Sequence, residues 1–286
     1  MILIALSILC STLIFVVFKG FSIWKVDTFK AIIVNYLTAA LLGVMYQGSP
    51  SAMFTQLAHW NYVPVFLGFL FIALFFFMAT SSQVIGVGPT SLAVKMSMII
   101  AVLSGVWIYG DRLNAIHIIG IVGAIVSVFL TYDFFSGATD GASSKGAWHW
   151  PLILFLGSGL IDISMKYAQH HFLNEDSMVP FTGAIFLFAA GYGGLRLAYR
   201  RDLKFSWRDV GAGIALGIPN FGSIYFLLRS LALDAWTSAQ IFAMNNVGIV
   251  LCSALSGWIF FGEDSHWKRK LGMVIALVSI VFISKN

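Results

Sequence analysis

The chain has 286 residues, of which 59% are apolar and only 10% charged, with a mean hydropathy of +0.89 and a formal net charge of +5. A water-facing surface needs roughly a quarter of its residues charged, so this composition excludes a soluble domain and fits lipid as the surrounding medium. Lysines and arginines gather between apolar runs, where they suit a membrane surface and not a nucleic-acid face.

Taken in chain order, the first apolar run is Ile2 to Phe18. It lacks the basic start and small-residue cleavage site of a signal peptide, and reads as a span. Runs at Phe29 to Tyr46, Tyr62 to Met78, Thr90 to Tyr109 and Ile116 to Tyr132 complete a first set. Asp133 to His149 follows, with Ser-Gly-Ala-Thr-Asp-Gly-Ala-Ser-Ser-Lys-Gly at its centre, the most linker-like stretch of the chain. A second set runs through Trp150 to Tyr167, Met178 to Ala198, Gly211 to Leu228, Ser238 to Phe261 and Leu271 to Ile283. About ten helices of roughly 20 residues would use most of the chain. Such continuous apolarity excludes the alternating pattern of a membrane β-barrel. Cys10 and Cys252 lie inside apolar runs, far apart, and predict neither a disulfide nor a metal pair.

The two sets repeat one another. Leu103-Ser104-Gly105 matches Leu255-Ser256-Gly257, Gly110-Asp111 matches Gly262-Glu263, and Gly120 matches Gly272 in one register. Thr90-Ser91 also matches Thr237-Ser238, but with five residues fewer before the Gly-acidic pair, which predicts a shorter fourth span. The expected organisation is residues 1–136 as a first five-helix repeat, 137–148 as linker and 149–286 as a second repeat. An odd number of spans per repeat turns the second copy upside down. The expected fold is therefore an all-α membrane protein of ten transmembrane helices in two inverted five-helix repeats, a plan many secondary transporters use.

Further segments stand out: Tyr109-Gly110-Asp111-Arg112-Leu113 and Phe261-Gly262-Glu263 at the ends of the fourth and ninth spans, Val34-Asn35-Tyr36, Ala93-Val94-Lys95-Met96-Ser97, Gly159-Leu160-Ile161-Asp162, Gly217-Ile218-Pro219-Asn220, and Met244-Asn245-Asn246-Val247-Gly248. Together they are similar to the drug/metabolite transporter superfamily, in its ten-span EamA-like branch. The resemblance covers nearly the whole chain. Members often carry Pro in the middle of the fourth and ninth spans, where this chain has Ile100-Ala101 and Asn246-Val247-Gly248. What the resemblance implies is export or exchange of amino acids, nucleotides, drugs or other metabolites, with no ATP site or other cofactor, and termini in the cytoplasm.

Charges within spans cost ~3 kcal/mol each on insertion scales, so each asks for a reason. Lys95 lies in the fourth span and reads either as a snorkelling lysine or as a cavity cation holding an anionic group of a substrate. Asp162 and Lys166, spaced i, i+4 in the sixth span, read as a salt bridge on one helical face, or as a proton-coupling pair in which Asp162 titrates. Asn35 reads as a helix-joining amide or as a substrate-binding group, and Asn220, Asn245, Asn246 and Tyr225 are candidates for lining a substrate cavity. Pro219 removes a backbone donor and predicts a local break beside Asn220. His170-His171 with Glu175-Asp176 can be drawn as a metal cluster, but loop solvation explains them, and no metal site is expected. Trp60, Trp148 and Trp150 suit an interfacial belt.

The expected function is secondary or facilitative transport of a small polar or amphipathic metabolite, such as an amino acid, by alternating access in a bacterial inner membrane. The working form is a monomer or homodimer with no nucleic-acid partner. Two other readings stand beside it: a flippase or accessory subunit for lipid-linked groups, and a membrane-embedded enzyme. Against an enzyme, the chain has no Gly-x-Ser-x-Gly, His-Glu-x-x-His or phosphate loop. Counting cations by connection places most of them after odd-numbered spans, so the positive-inside rule points to termini outside, opposite to the resemblance.

Overall fold

The computed structural model describes residues 1–47, 57, 59–60, 62–100, 103–104, 115–132, 149–173, 177–231, 238–263 and 267–283. Among them the chain is all-α, in ten helices: α1 Ile2–Trp24, α2 Thr28–Gln47, α3 Val63–Val84, α4 Val87–Met96, α5 Ala115–Tyr132, α6 His149–His171, α7 Met178–Tyr199, α8 Trp207–Leu231, α9 Ser238–Phe261 and α10 Trp267–Ile283. Seven of these are long and apolar enough to cross a bilayer: α1, α2, α3, α6, α7, α8 and α9. The apolar stretches of α4, α5 and α10 are shorter, at Val87–Ile100, Ala115–Ser127 and Lys270–Ile283. This is the architecture of a multi-pass membrane protein. The linker at 137–148 and the motif Tyr109 to Leu113 lie outside the described residues.

Helix ends follow local chemistry. α1 closes on Lys25, whose left-handed backbone (φ 55°, ψ 44°) lets its N–H reach the Phe21 carbonyl. Pro64 sits in the first turn of α3, where its missing N–H is no loss. Between α3 and α4 lie only Ile85 and Gly86, and Gly86 takes φ +106°, a conformation open to glycine.

Two findings correct the expected helix irregularities. α8 runs continuously from Trp207 to Leu231 with Pro219 inside it, so no break opens at Asn220. The lapse occurs in α4: regular bonding ends at Met96, and after a turn at Ser97 the Ile100 N–H returns to the Ser97 carbonyl at 2.8 Å.

The helices pack in long pairs. α5 lies along α10; α2 and α1 both lie along α8; α3 lies along α7 and α6; α2 crosses α7; and α9 lies along α1 and α4, with α4 also against α6. Glycines make the closest approaches possible. Added Cβ atoms at Gly213 and Gly217 of α8 would come within 2.6 Å of the Ala31 carbonyl and 2.8 Å of the Asn35 carbonyl on α2. One at Gly68 of α3 would come within 2.9 Å of the Ala189 nitrogen on α7. Close backbone contact of this kind replaces the hydrophobic effect as the cohesive force within lipid.

A core of Phe18, Phe21, Tyr36, Phe75 and Phe186 joins α1, α2, α3 and α7, with the Tyr36 hydroxyl donating to the Phe71 carbonyl at 2.8 Å. Trp60, which its sequence position suggests for an interfacial belt, is shielded from the protein surface. It is fully buried against Phe181 at the other end of α3 and α7.

The cations concentrate at one end of the bundle, where α1, α3, α7 and α9 finish. Here the Lys30 ammonium, 7% exposed as a residue, donates to Asp202 Oδ1 at 2.7 Å and to the Lys204 carbonyl at 2.9 Å. Asp209 accepts from the N–H groups of Asp27 and Ser206, both at 2.9 Å, and so ties the α1–α2 turn to the start of α8.

Candidate functional site

The polar groups that the sequence scatters over several spans meet at the seam between α4 and α6. The Ser97 hydroxyl, at the turn that interrupts α4, lies 2.7 Å from Asp162 Oδ2 and 2.7 Å from the Val94 carbonyl. The lapse in helical bonding presents this hydroxyl to α6. Lys95, two residues earlier, acts electrostatically on Asp162 without closing to an ion pair. Its ammonium has no hydrogen-bond acceptor among the described residues. Ser158 stands one turn before Asp162 on the same face of α6, buried and with its hydroxyl unpartnered among the described residues. Close packing beside the seam is set by Gly159, whose missing side chain leaves room for Ile100.

α9 borders the seam. The Asn246 amide nitrogen lies 3.5 Å from Met98 Sδ, and Asn245, 3% exposed, finds no donor for its Oδ1 among the described residues. Gly248 admits Ile8 of α1 against α9. Lys95 and Asp162 are thus brought together at the α4–α6 seam, and Asn246 reaches Met98 of α4 from α9. Lys166 is one turn beyond Asp162, and the charged group acting on Asp162 across the seam is Lys95.

The remaining candidates are elsewhere. Asn220 Nδ2 donates to Asn35 Oδ1 at 3.1 Å in the buried α2–α8 seam, so this pair joins two helices. Tyr225 belongs to an aromatic cluster, stacked on Phe221 (ring centroids 5.9 Å) and edge-on to Tyr46 (5.0 Å). Next to it is a small apolar void bordered by Ala39, Gly43, Gly183 and Phe186. Of the drawn metal cluster, Glu175 and Asp176 lie outside the described residues.

A second polar cluster, which the sequence hints at only through the Gly-acidic motif, closes the basic end. Glu263 leaves α9 and reaches the start of α4, where its Oε1 accepts the Val87 N–H at 2.7 Å. The carboxylate fits between Gly86 and Gly257, where added Cβ atoms would come within 2.6 and 2.4 Å of it. Lys19 of α1 stands 3.9 Å from Glu263 and donates to the Gln83 carbonyl at 3.1 Å. A carboxylate is well placed there, since the first N–H of α4 points at it and the helix dipole favours negative charge.

No family model matches the chain. A protein of Haemophilus influenzae (strain ATCC 51907 / DSM 11121 / KW20 / Rd), described as uncharacterized, is 24% identical over 279 residues, covering 96% of this chain and 94% of its own. A crystal structure of another protein superimposes with a TM-score of 0.62 at 13% identity, over 97% of this chain and 96% of that one. That likeness is of fold, end to end.

Proposed function

We propose that the protein is a secondary or facilitative transporter of a small zwitterionic or carboxylate-bearing metabolite, built as ten spans in two inverted five-helix repeats. The observation that carries this reading is the packing. Exchange each helix of α1–α5 with its counterpart in α6–α10, and the major contacts map onto one another. α2 on α8 becomes α7 on α3, α1 on α8 becomes α6 on α3, and α1 on α9 becomes α6 on α4; α2 on α7, α4 on α9 and α5 on α10 map onto themselves. The glycine contacts follow the same exchange, with α8 glycines on the α2 backbone and an α3 glycine on that of α7.

The exchange fails for some smaller contacts: α2 on α3 and α4 on α10 have no comparable counterpart among the described residues, and the largest failure is at α1. α1 packs on α3 and α4, whereas α6 makes no comparable contact with α8 or α9. The α1–α3–α4 contacts include the Lys19 bond to Gln83 and the Phe18–Phe75 ring pair, toward the basic end. Under inversion the missing contacts belong to the opposite end. The arrangement supports a state closed at the basic end and open at the other, as alternating access requires. The polar seam then borders the opening, with Lys95 as partner for a carboxylate and Asp162 for an ammonium or a proton. Both are charges lipid would otherwise oppose.

The test is uptake and counterflow in proteoliposomes against a panel of amino acids and small carboxylates. Lys95→Met and Asp162→Asn should each lower transport tenfold or more while leaving expression and thermal stability near those of the parent. Transport unchanged in both would remove the seam from the pathway. Movement of fluorescent lipids alone, with no soluble substrate carried, would make the protein a flippase instead.

A further inference from the structure

At the basic end, outside the transport pathway, a groove of about 700 Å³ lies between the α1–α2 turn and the first turns of α8. Trp24 and Val26 line one side, and Gly211 and Ala215, one turn apart, line the other. A Cβ added at Gly211 would meet open space, so this stretch of α8 presents a shallow trough of small residues. Lys25 and Arg208 are the two charged residues along it.

The charge balance around the groove is uneven for a specific reason. The neighbouring carboxylates are already engaged away from it: Asp202 takes the Lys30 ammonium, Asp27 caps the start of α2 and faces Lys30, and Asp209 takes the N–H groups of Asp27 and Ser206. Lys25 and Arg208, both exposed, have no acidic partner among the described residues. Lys25 is also held in position by the left-handed cap of α1. Ile23, Trp24 and Trp207 nearby are 63%, 51% and 90% exposed, which places this end of the bundle at headgroup depth, where tryptophans anchor.

We propose that this groove binds an anionic phospholipid, its phosphate between Lys25 and Arg208 and its acyl chain along Gly211 and Ala215. Two uncompensated cations call for an anion. The apolar trough below them calls for one carrying a hydrocarbon tail.

The test is lipid retention and thermal stabilisation of the full chain in neutral detergent, titrated with phosphatidylglycerol, phosphatidylcholine or inorganic phosphate. Each cation near a membrane surface contributes on a scale that makes a single neutralisation about fivefold and a double one about thirtyfold in affinity. Lys25→Gln and Arg208→Gln should each weaken phosphatidylglycerol binding about fivefold, and the double variant about thirtyfold. Arg200→Gln, another exposed cation at this end, should change nothing. Gly211→Leu, which keeps both charges and fills the trough, should also weaken binding. The proposal is overturned if Arg200→Gln weakens binding equally, if phosphatidylcholine binds as tightly, if inorganic phosphate alone gives the same stabilisation, or if Gly211→Leu has no effect.

Discussion

Glu263 illustrates how one side chain can hold three helices. It ends the α9 segment, accepts the first N–H of α4 and lies near the Lys19 ammonium of α1. Glu263→Gln keeps an acceptor but loses the charge at a helix N-terminus, and should lower stability by about 1 kcal/mol. Glu263→Ala leaves the Val87 N–H without a partner as well, and should cost about 2 kcal/mol. Gly86→Ala should be at least as harmful, about 2–3 kcal/mol, because it combines φ +106° with a methyl 2.6 Å from the carboxylate. Thermal unfolding midpoints in detergent would measure all three. A Gly86→Ala protein as stable as the parent would show that Glu263 is not seated in that crevice.

At the scale of elements, the α2–α8 seam offers a separate test. Asn220 donates to Asn35, while Asn35 Nδ2 is buried with no acceptor among the described residues. Asn35→Leu should strand the Asn220 amide and destabilise by about 1 kcal/mol, the usual scale for such bonds within lipid. Asn220→Leu should do much the same. The double variant should lose less than the sum, because removing both partners leaves no orphan. Strict additivity of the two losses would mean that the bond contributes nothing.

Much of this level was legible in the sequence. Each of the ten apolar runs overlaps a helix, and Ser238 to Phe261 is matched end to end. The misses fall at helix ends, since apolar runs stop at the first polar residue whereas the backbone does not: α1 continues past Lys19 to Trp24, and α3 through Ser81 and Ser82 to Val84. Lys95 and Asp162 stand out singly as charges lipid penalises. Their meeting does not, because Ser97 and Asp162 are 65 residues apart in sequence and join through a helical lapse that no proline announces. Pro219 had the opposite fate. Its lost hydrogen bond is absorbed within a continuous α8, so proline there signals no site.

For the whole molecule, inversion of the two halves makes a prediction that no local contact can imitate. If α6–α10 are turned over relative to α1–α5, corresponding helix ends must lie on opposite faces of the membrane. Ser22 is an exposed residue near the end of α1, and His171 is the exposed last residue of α6. With the free thiols of Cys10 and Cys252 replaced by Ala, Ser22→Cys and His171→Cys should react with a membrane-impermeant maleimide from opposite sides in oriented vesicles. Reaction from the same side would rule out the inverted arrangement and the alternating-access reading with it. The same labelling fixes orientation. The basic end carries Lys19, Lys25, Lys30, Arg200, Arg201, Lys204 and Arg208, so the positive-inside rule puts Ser22 in the cytoplasm. Two of these charges, however, are engaged internally: Lys30 by Asp202 and Lys19 by Glu263 and Gln83. A cation neutralised within the fold after insertion still counted as free when the helices were threaded. Orientation should therefore follow the full charge, with Ser22 labelled from the cytoplasmic face and the open end of the seam facing outward.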